Sequence, residues 1–324
     1  MRVDSHFSQP LKSLPKIIFK FRVNLFAHVY IICVVMKSLW IYVIIGSTAF
    51  AVGATGGIIG KRFIAAAKTQ YIGEIETMDI EDLMKRYNQN PNQNFTPAEM
   101  VNIAMEKYRN SENCYSVSKG TANTVVNQTI RNYQIKNGDD YFEESISRSS
   151  MVKLADRMTQ HGKEGDIKFY HGKADSEEVG SYPSDPKVYS QEDYTNFLGR
   201  TLNQMFIYVI TDNTVLDDGT KVEKTKDGYK LTLALDPDVS TYYYKTQMYN
   251  ISGLDALPTF EYVTLTYSIT SDYMLEHLSV DEKYKATMGI SVDIRNSLET
   301  DYYPNAYKAI PALDEPLIYS MRGE

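Results

Sequence analysis

"EYVTLTYSIT", residues 261–270, places Val263, Leu265, Tyr267 and Ile269 on one parity and Thr264, Thr266, Ser268 and Thr270 on the other. Successive side chains of a strand point to opposite faces, so this segment predicts a strand with one face on a core and the other hydroxylated. Upstream, "YKLTLAL" (229–235) puts Tyr229, Leu231, Leu233 and Leu235 on one face in the same way. Downstream, "YMLEHLSVDEKYKATM" (273–288) and "ISVDIRNSL" (290–298) continue the pattern. Half-apolar strands joined by short turns predict an antiparallel sheet. Alternating apolar runs and crossover helices are missing, which argues against a parallel nucleotide-binding sheet.

The same period reaches back to about Tyr115. Asn137-Gly138 supplies the positive φ of a tight hairpin between "TVVNQTIRNYQI" (124–135) and "DYFEESIS" (140–147). "MVKLADRMT" and "DIKFYHG" read as further short strands, and residues 171–187 as a loop rich in Gly, Pro, Ser and acids. Asp218-Gly219 and Asp227-Gly228 read as turn punctuation. Four helices interleave. Ile80, Leu83, Met84 and Tyr87 share a face behind an Asp79 cap. Thr96-Pro97-Ala98-Glu99 combines a capping box with proline at the first helical position. Ser190 caps a stripe of Tyr194, Phe197, Leu198, Leu202 and Met205, and Asp236-Pro237 opens a segment closed by Gly253. Together these predict one α+β domain: a long, curved antiparallel sheet with helices laid on a single face.

Ahead of this body, Leu39–Ile59 is a run of 21 residues without a charge, the length a helix needs to cross ~30 Å of hydrocarbon. It predicts a single transmembrane helix, either an uncleaved anchor or a signal cut near Ala51 or Ala54. Gly53 and Gly57 have the spacing of a close helix–helix contact, which would give a weak dimer. Met36-Lys37 resembles a conventional signal start, so residues 1–35 read as an upstream extension from Met1. The expected division is residues 1–35 as extension, 36–62 as anchor or signal, 63–95 as a linker with a short helix, and 96–324 as an extracytoplasmic domain. Residues 1–68 hold nine Lys and Arg against Asp4, a charge of +8. The whole chain is −7, so the remainder is −15. A body that acidic repels phosphate backbones and argues against nucleic acid as a partner.

No chemical constellation stands out. Cys33 and Cys114 form no framework, and Cys114 reads as a buried thiol. His161 and His171 each precede Gly-Lys without a third ligand, so no metal or cofactor is expected. Neither GxSxG nor HExxH occurs, and no catalytic residue is assigned. Asn94, Asn127 and Asn250 lie in glycosylation sequons. The 26 tyrosines, including Tyr242-Tyr243-Tyr244, read as half-packed core edges or as a platform for sugars or a lipid entrance.

The order of elements resembles the half-barrel folds of bacterial lipoprotein carriers and mycobacterial lipid-binding lipoproteins, the LolA/LppX-like group. Met248–Thr287, "MYNISGLDALPTFEYVTLTYSITSDYMLEHLSVDEKYKAT", carries most of the likeness: a helix, a Gly/Pro link and paired long strands. The group has no sharp motif, and a lipobox is missing, since Tyr30-Ile31-Ile32 puts no small residue before Cys33. The resemblance implies an apolar cavity between sheet and helices, with Leu231, Leu233, Tyr243, Val263, Leu265, Tyr267 and Ile269 as its candidate lining. The functional expectation is a membrane-anchored bacterial protein binding a lipid or lipidated protein. The alternative is a non-catalytic cell-envelope scaffold or interaction module for peptide or glycan.

Overall fold

The computed structural model describes residues 78–324, apart from positions 125, 126, 151, 152, 199, 253, 289 and 324. Two helices lead. In α1 (Ile80–Gln89), Asp79 accepts from the Asp82 amide. In α2 (Pro97–Arg109), Thr96 and Glu99 form the reciprocal capping box. Strands follow: β1 (Asn113–Asn123), β2 (Asn127–Asn137), β3 (Asp140–Arg148), β4 (Lys153–Gln160), β5 (Ile167–Ala174), β6 (Gly180–Ser181) and β7 (Lys187–Tyr189). After α3 (Gln191–Leu198) come β8 (Val215–Lys224), β9 (Gly228–Leu235), α4 (Tyr242–Ser252), β10 (Thr259–Thr270), β11 (Leu275–Met288) and β12 (Ile290–Pro304).

All twelve strands join one open antiparallel sheet, in the order β6-β5-β4-β3-β2-β1-β12-β11-β10-β9-β8, with β7 paired to β5. The first strands run outward from the middle to one edge, and the later ones run inward from the other edge, β8, back to the middle. The first and last, β1 and β12, meet in the middle, from Cys114↔Pro304 to Asn123↔Arg295. Gly120 belongs to this seam: a Cβ there would lie 2.3 Å from the Ser297 carbonyl oxygen, so only glycine lets the two backbones approach as they do. Gly138, at φ +58°, turns the β2–β3 hairpin.

This architecture corrects the expected fold class. The sequence predicts a transmembrane helix followed by a half-barrel with helices on one face. The described residues instead form mainly a single unclosed twelve-stranded sheet with few helices. No described helix is long and apolar enough to cross a membrane. Leu39–Ile59, Gly53, Gly57, Ala51 and Ala54, and both candidate starts lie outside the described residues.

The physical reason is visible in β3, which is buried at every position from Tyr141 to Ser147. One face meets helices and connecting segments. On the other, the C-terminal segment crosses the first strands, and Leu317 and Tyr319 pack among Val117, Tyr133, Phe142 and Ile146. A strand covered on both faces loses the alternation that a one-sided sheet displays. Beyond the seam the alternation returns, as in β10. Asp218-Gly219 also differs from expectation: it lies inside β8, where Gly219 has φ +92° and pairing slips between Leu216 and Lys221, a bulge on an edge strand.

Candidate functional site

Register decides which side chains meet over the centre of the sheet. Glu143, Gln134, Ser116 and Tyr302 are successive cross-strand partners, and so are Asp156, Ser145, Asn132, Ser118 and Thr300. Both rows project to the helix-covered face, where strand alternation has placed polar residues in line. Past the seam the same face turns apolar, with Leu298 of β12, Leu278 and Val280 of β11, and Tyr267 of β10.

A cavity of about 130 Å³ lies over this junction. Its roof is Met105 of α2, Tyr244 of α4 and the irregular segment from Arg200 to Ile210. Asn102 holds that segment by donating to both Ala98 and Ile210 carbonyls, at 2.9 and 2.8 Å, and the Val209 amide donates to Ser240. Lys136 donates to the Arg109 and Ser111 carbonyls, which fixes the C-terminal end of α2 over β2.

The polar wall centres on an ion pair. Nη2 of Arg200 lies 2.7 and 2.8 Å from the two oxygens of Glu143, and Gln134 donates weakly to Oε2 at 3.5 Å. Burial works against the Arg200 charge, but the Glu143 carboxylate outweighs it and the guanidinium pKa is raised. Ser116 donates to Gln134 Oε1, and Ser145 donates to Asn132 Oδ1. Every oxygen of these three acceptor side chains is therefore engaged. Arg200, 5% exposed, also reaches the Thr201 carbonyl through Nη1 at 3.4 Å, and only its Nε, itself without accessible surface, has no partner among the described residues.

Behind the other end stands Glu282, fully buried, which accepts from Tyr208 at 2.7 Å, Tyr244 at 3.0 Å and Asn296 at 2.9 Å. Burial pushes its carboxyl up to about 7, against the pull of those donors. Tyr267 and Tyr302 are likewise raised by burial, so the phenols facing the cavity keep their protons. At the far end of the polar row, His171 Nδ1 meets Asp156 Oδ1 at 2.6 Å. Burial raises Asp156 to about 6, and its hydrogen bond to Asp156 raises His171.

Of the seven lining residues expected from the sequence, Tyr267 faces the cavity. Leu231, Leu233, Val263, Leu265 and Ile269 are buried in the packed sheet face, and Tyr243 is half-buried on α4. His161 is exposed beside Asp140, and Cys114 is buried. Among the described residues no group of three or more His, Cys, Asp and Glu could hold a metal. The Glu143–Arg200 pair, Asn132 and Gln134 escaped the sequence reading, because charges and amides in a strand ordinarily face solvent. The one available signal was "YFEES", two acids inside a strand directly after two aromatics.

No protein family matches the chain, and no curated protein matches it either.

Proposed function

We propose that the chain is a non-catalytic binding module, held at a membrane by Leu39–Ile59, that takes a small, partly polar molecule or end group into the central cavity. The observation that carries this reading is the cavity itself, where Asn132, Gln134, Glu143 and Arg200 line one side and Met105, Leu278, Val280 and Leu298 the other. The dimensions favour a small occupant over an acyl chain: 130 Å³ lies below the ~300 Å³ at which ordinary ligand pockets begin. It is close to the ~150 Å³ cavity that admits benzene.

Met105 and Met205 line the cavity and supply built-in reporters. The full chain, methyl-labelled at methionine in detergent micelles, should show saturable shifts of both resonances on adding phenylacetamide. Ser118→Phe, which fills the space, should abolish them. Shifts caused only by dodecanoate, or by neither probe, would overturn the reading.

A further inference from the structure

We infer that the sheet face opposite the cavity carries a binding site for a phosphate group, built on Arg131 of β2 with Lys119 of β1, Arg148 of β3 and Lys153 of β4 around it. The inference does not rest on the cavity. Among the described residues, Arg131, Arg157 and Arg200 are arginines more than nine-tenths buried. Arg157 meets Glu144, and Arg200 meets Glu143. Arg131, 7% exposed, meets no carboxylate among the described residues, and its hydrogen bond there is a long one, 3.4 Å from Nη1 to the Ile130 carbonyl. A guanidinium does not shed its proton in a protein, so a buried one stays charged and calls for an anion.

Register assembles the rest of the site. Arg131 lies directly opposite Lys119 across β1 and β2, and Arg148 directly opposite Lys153 across β3 and β4. Arg131 pairs with Ile146, two positions before Arg148, so the two arginines are diagonal neighbours on one face. Like charges set opposite each other destabilise a sheet, and here two such pairs adjoin in a body of charge −15. Arg148 donates through Nη1 to the Ala174 and Asp175 carbonyls, and neither it nor Lys153 forms an ion pair among the described residues. The acid in the same cross-strand row as Arg131 is Glu299, on the far side of Lys119, and it already meets His277 and Ser279. Lys119 and Lys153 are exposed and Arg148 is half-buried, so the cluster is reached from solvent. Several cations around a forked donor suit an oxyanion with more than two oxygens to offer, which favours phosphate over carboxylate. A free phosphate and the headgroup of an acidic lipid both present that chemistry.

Calorimetry on the full chain in neutral detergent micelles tests the site, in phosphate-free buffer with ionic strength held constant by sodium chloride. Inorganic phosphate at ~10 mM should raise the melting midpoint by about 3 °C, the effect of a ligand in roughly tenfold excess over its Kd on a chain of this size. Arg131→Met keeps the apolar stem and removes the buried charge. Without phosphate it should melt no lower than the unaltered chain, and it should lose the phosphate response. Arg148→Gln, at a half-buried position whose loss the fold tolerates, should weaken phosphate about tenfold and keeps the test decisive if Arg131→Met does not fold. Arg295→Gln, on the same face but paired with Asp281, should leave the response unchanged. Glycerophosphoglycerol, the headgroup of phosphatidylglycerol, separates the two sources: a larger shift than phosphate gives assigns the site to a lipid headgroup, and a smaller one to a free phosphate. No shift with either compound, or a phosphate shift of equal size in Arg131→Met and Arg148→Gln, overturns the inference and leaves the cavity reading in place.

Discussion

Glu143 and Glu144 are neighbours on β3, and strand geometry sends them to opposite faces of the sheet. Each meets a buried arginine: Arg200 over the cavity, and Arg157 beneath the C-terminal segment, with Arg157 Nε 2.7 Å from Glu144 Oε2 and Tyr319 donating to Glu144 Oε1. Arg157 also donates to the Ala312 and Glu315 carbonyls and lies over the ring of Tyr182. A pair of adjacent acids in a sequence says nothing of this, since its meaning depends on arginines 13 and 57 residues away along the chain. Buried carboxyls also set the pH response. Glu282 titrates near 7 in the folded chain against 4.5 ordinarily, and Asp156 near 6 against 3.8, so the folded state holds protons that the unfolded state has already released. Their burial therefore costs nothing below about pH 4, weighs increasingly as pH rises, and is complete above about pH 7. The raised pKa of His171 acts in the same direction, its contribution being lost as pH rises. The unfolding midpoint should fall between about pH 5 and pH 8. Glu282→Gln, which keeps an oxygen for Tyr244 and Asn296, should flatten that slope and raise stability at pH 8 by a few kcal/mol. Calorimetry across the range checks both.

At the scale of elements, local chemistry and chain pairing were unequally legible. The Asp79 cap, the Thr96–Glu99 capping box, the Ser190 cap and the Asn137-Gly138 hairpin involve residues at most a few positions apart, and all occur as their motifs predict. The bulge at Gly219 was not legible, because Asp-Gly accommodates positive φ in a bulge as readily as in a turn. Nor was the cavity, whose polar rows exist only once register aligns β4, β3, β2, β1 and β12. Gly120 shows how tightly that register is held. Gly120→Ala would press a methyl against the Ser297 carbonyl and wedge the seam. It should cost about 2 kcal/mol in chemical denaturation, and more than an alanine on exposed β8.

At the scale of the whole molecule, the last residues complete the second face of the sheet. They bury Leu317 and Tyr319 and close over the Arg157–Glu144 pair. Removing residues 310–324 would leave that pair wet on one side and strip the apolar cover from Val117, Tyr133 and Phe142. The truncated chain should lose at least about 4 kcal/mol and bind a hydrophobic dye, whereas Arg322→Ala, which removes a side chain lying over Tyr303, should be mild. The meeting of β1 and β12 also orders events in time. During synthesis the first seven strands emerge as a half-sheet whose inner edge, β1, has no neighbour until residues 290–304 have left the ribosome. Until then the floor of the cavity is missing one side, and the free edge of β1 lies open to a neighbouring chain. Completion of the fold thus waits on its C-terminal strands, and a chaperone that shields the open edge of β1 should raise the yield of folded chain.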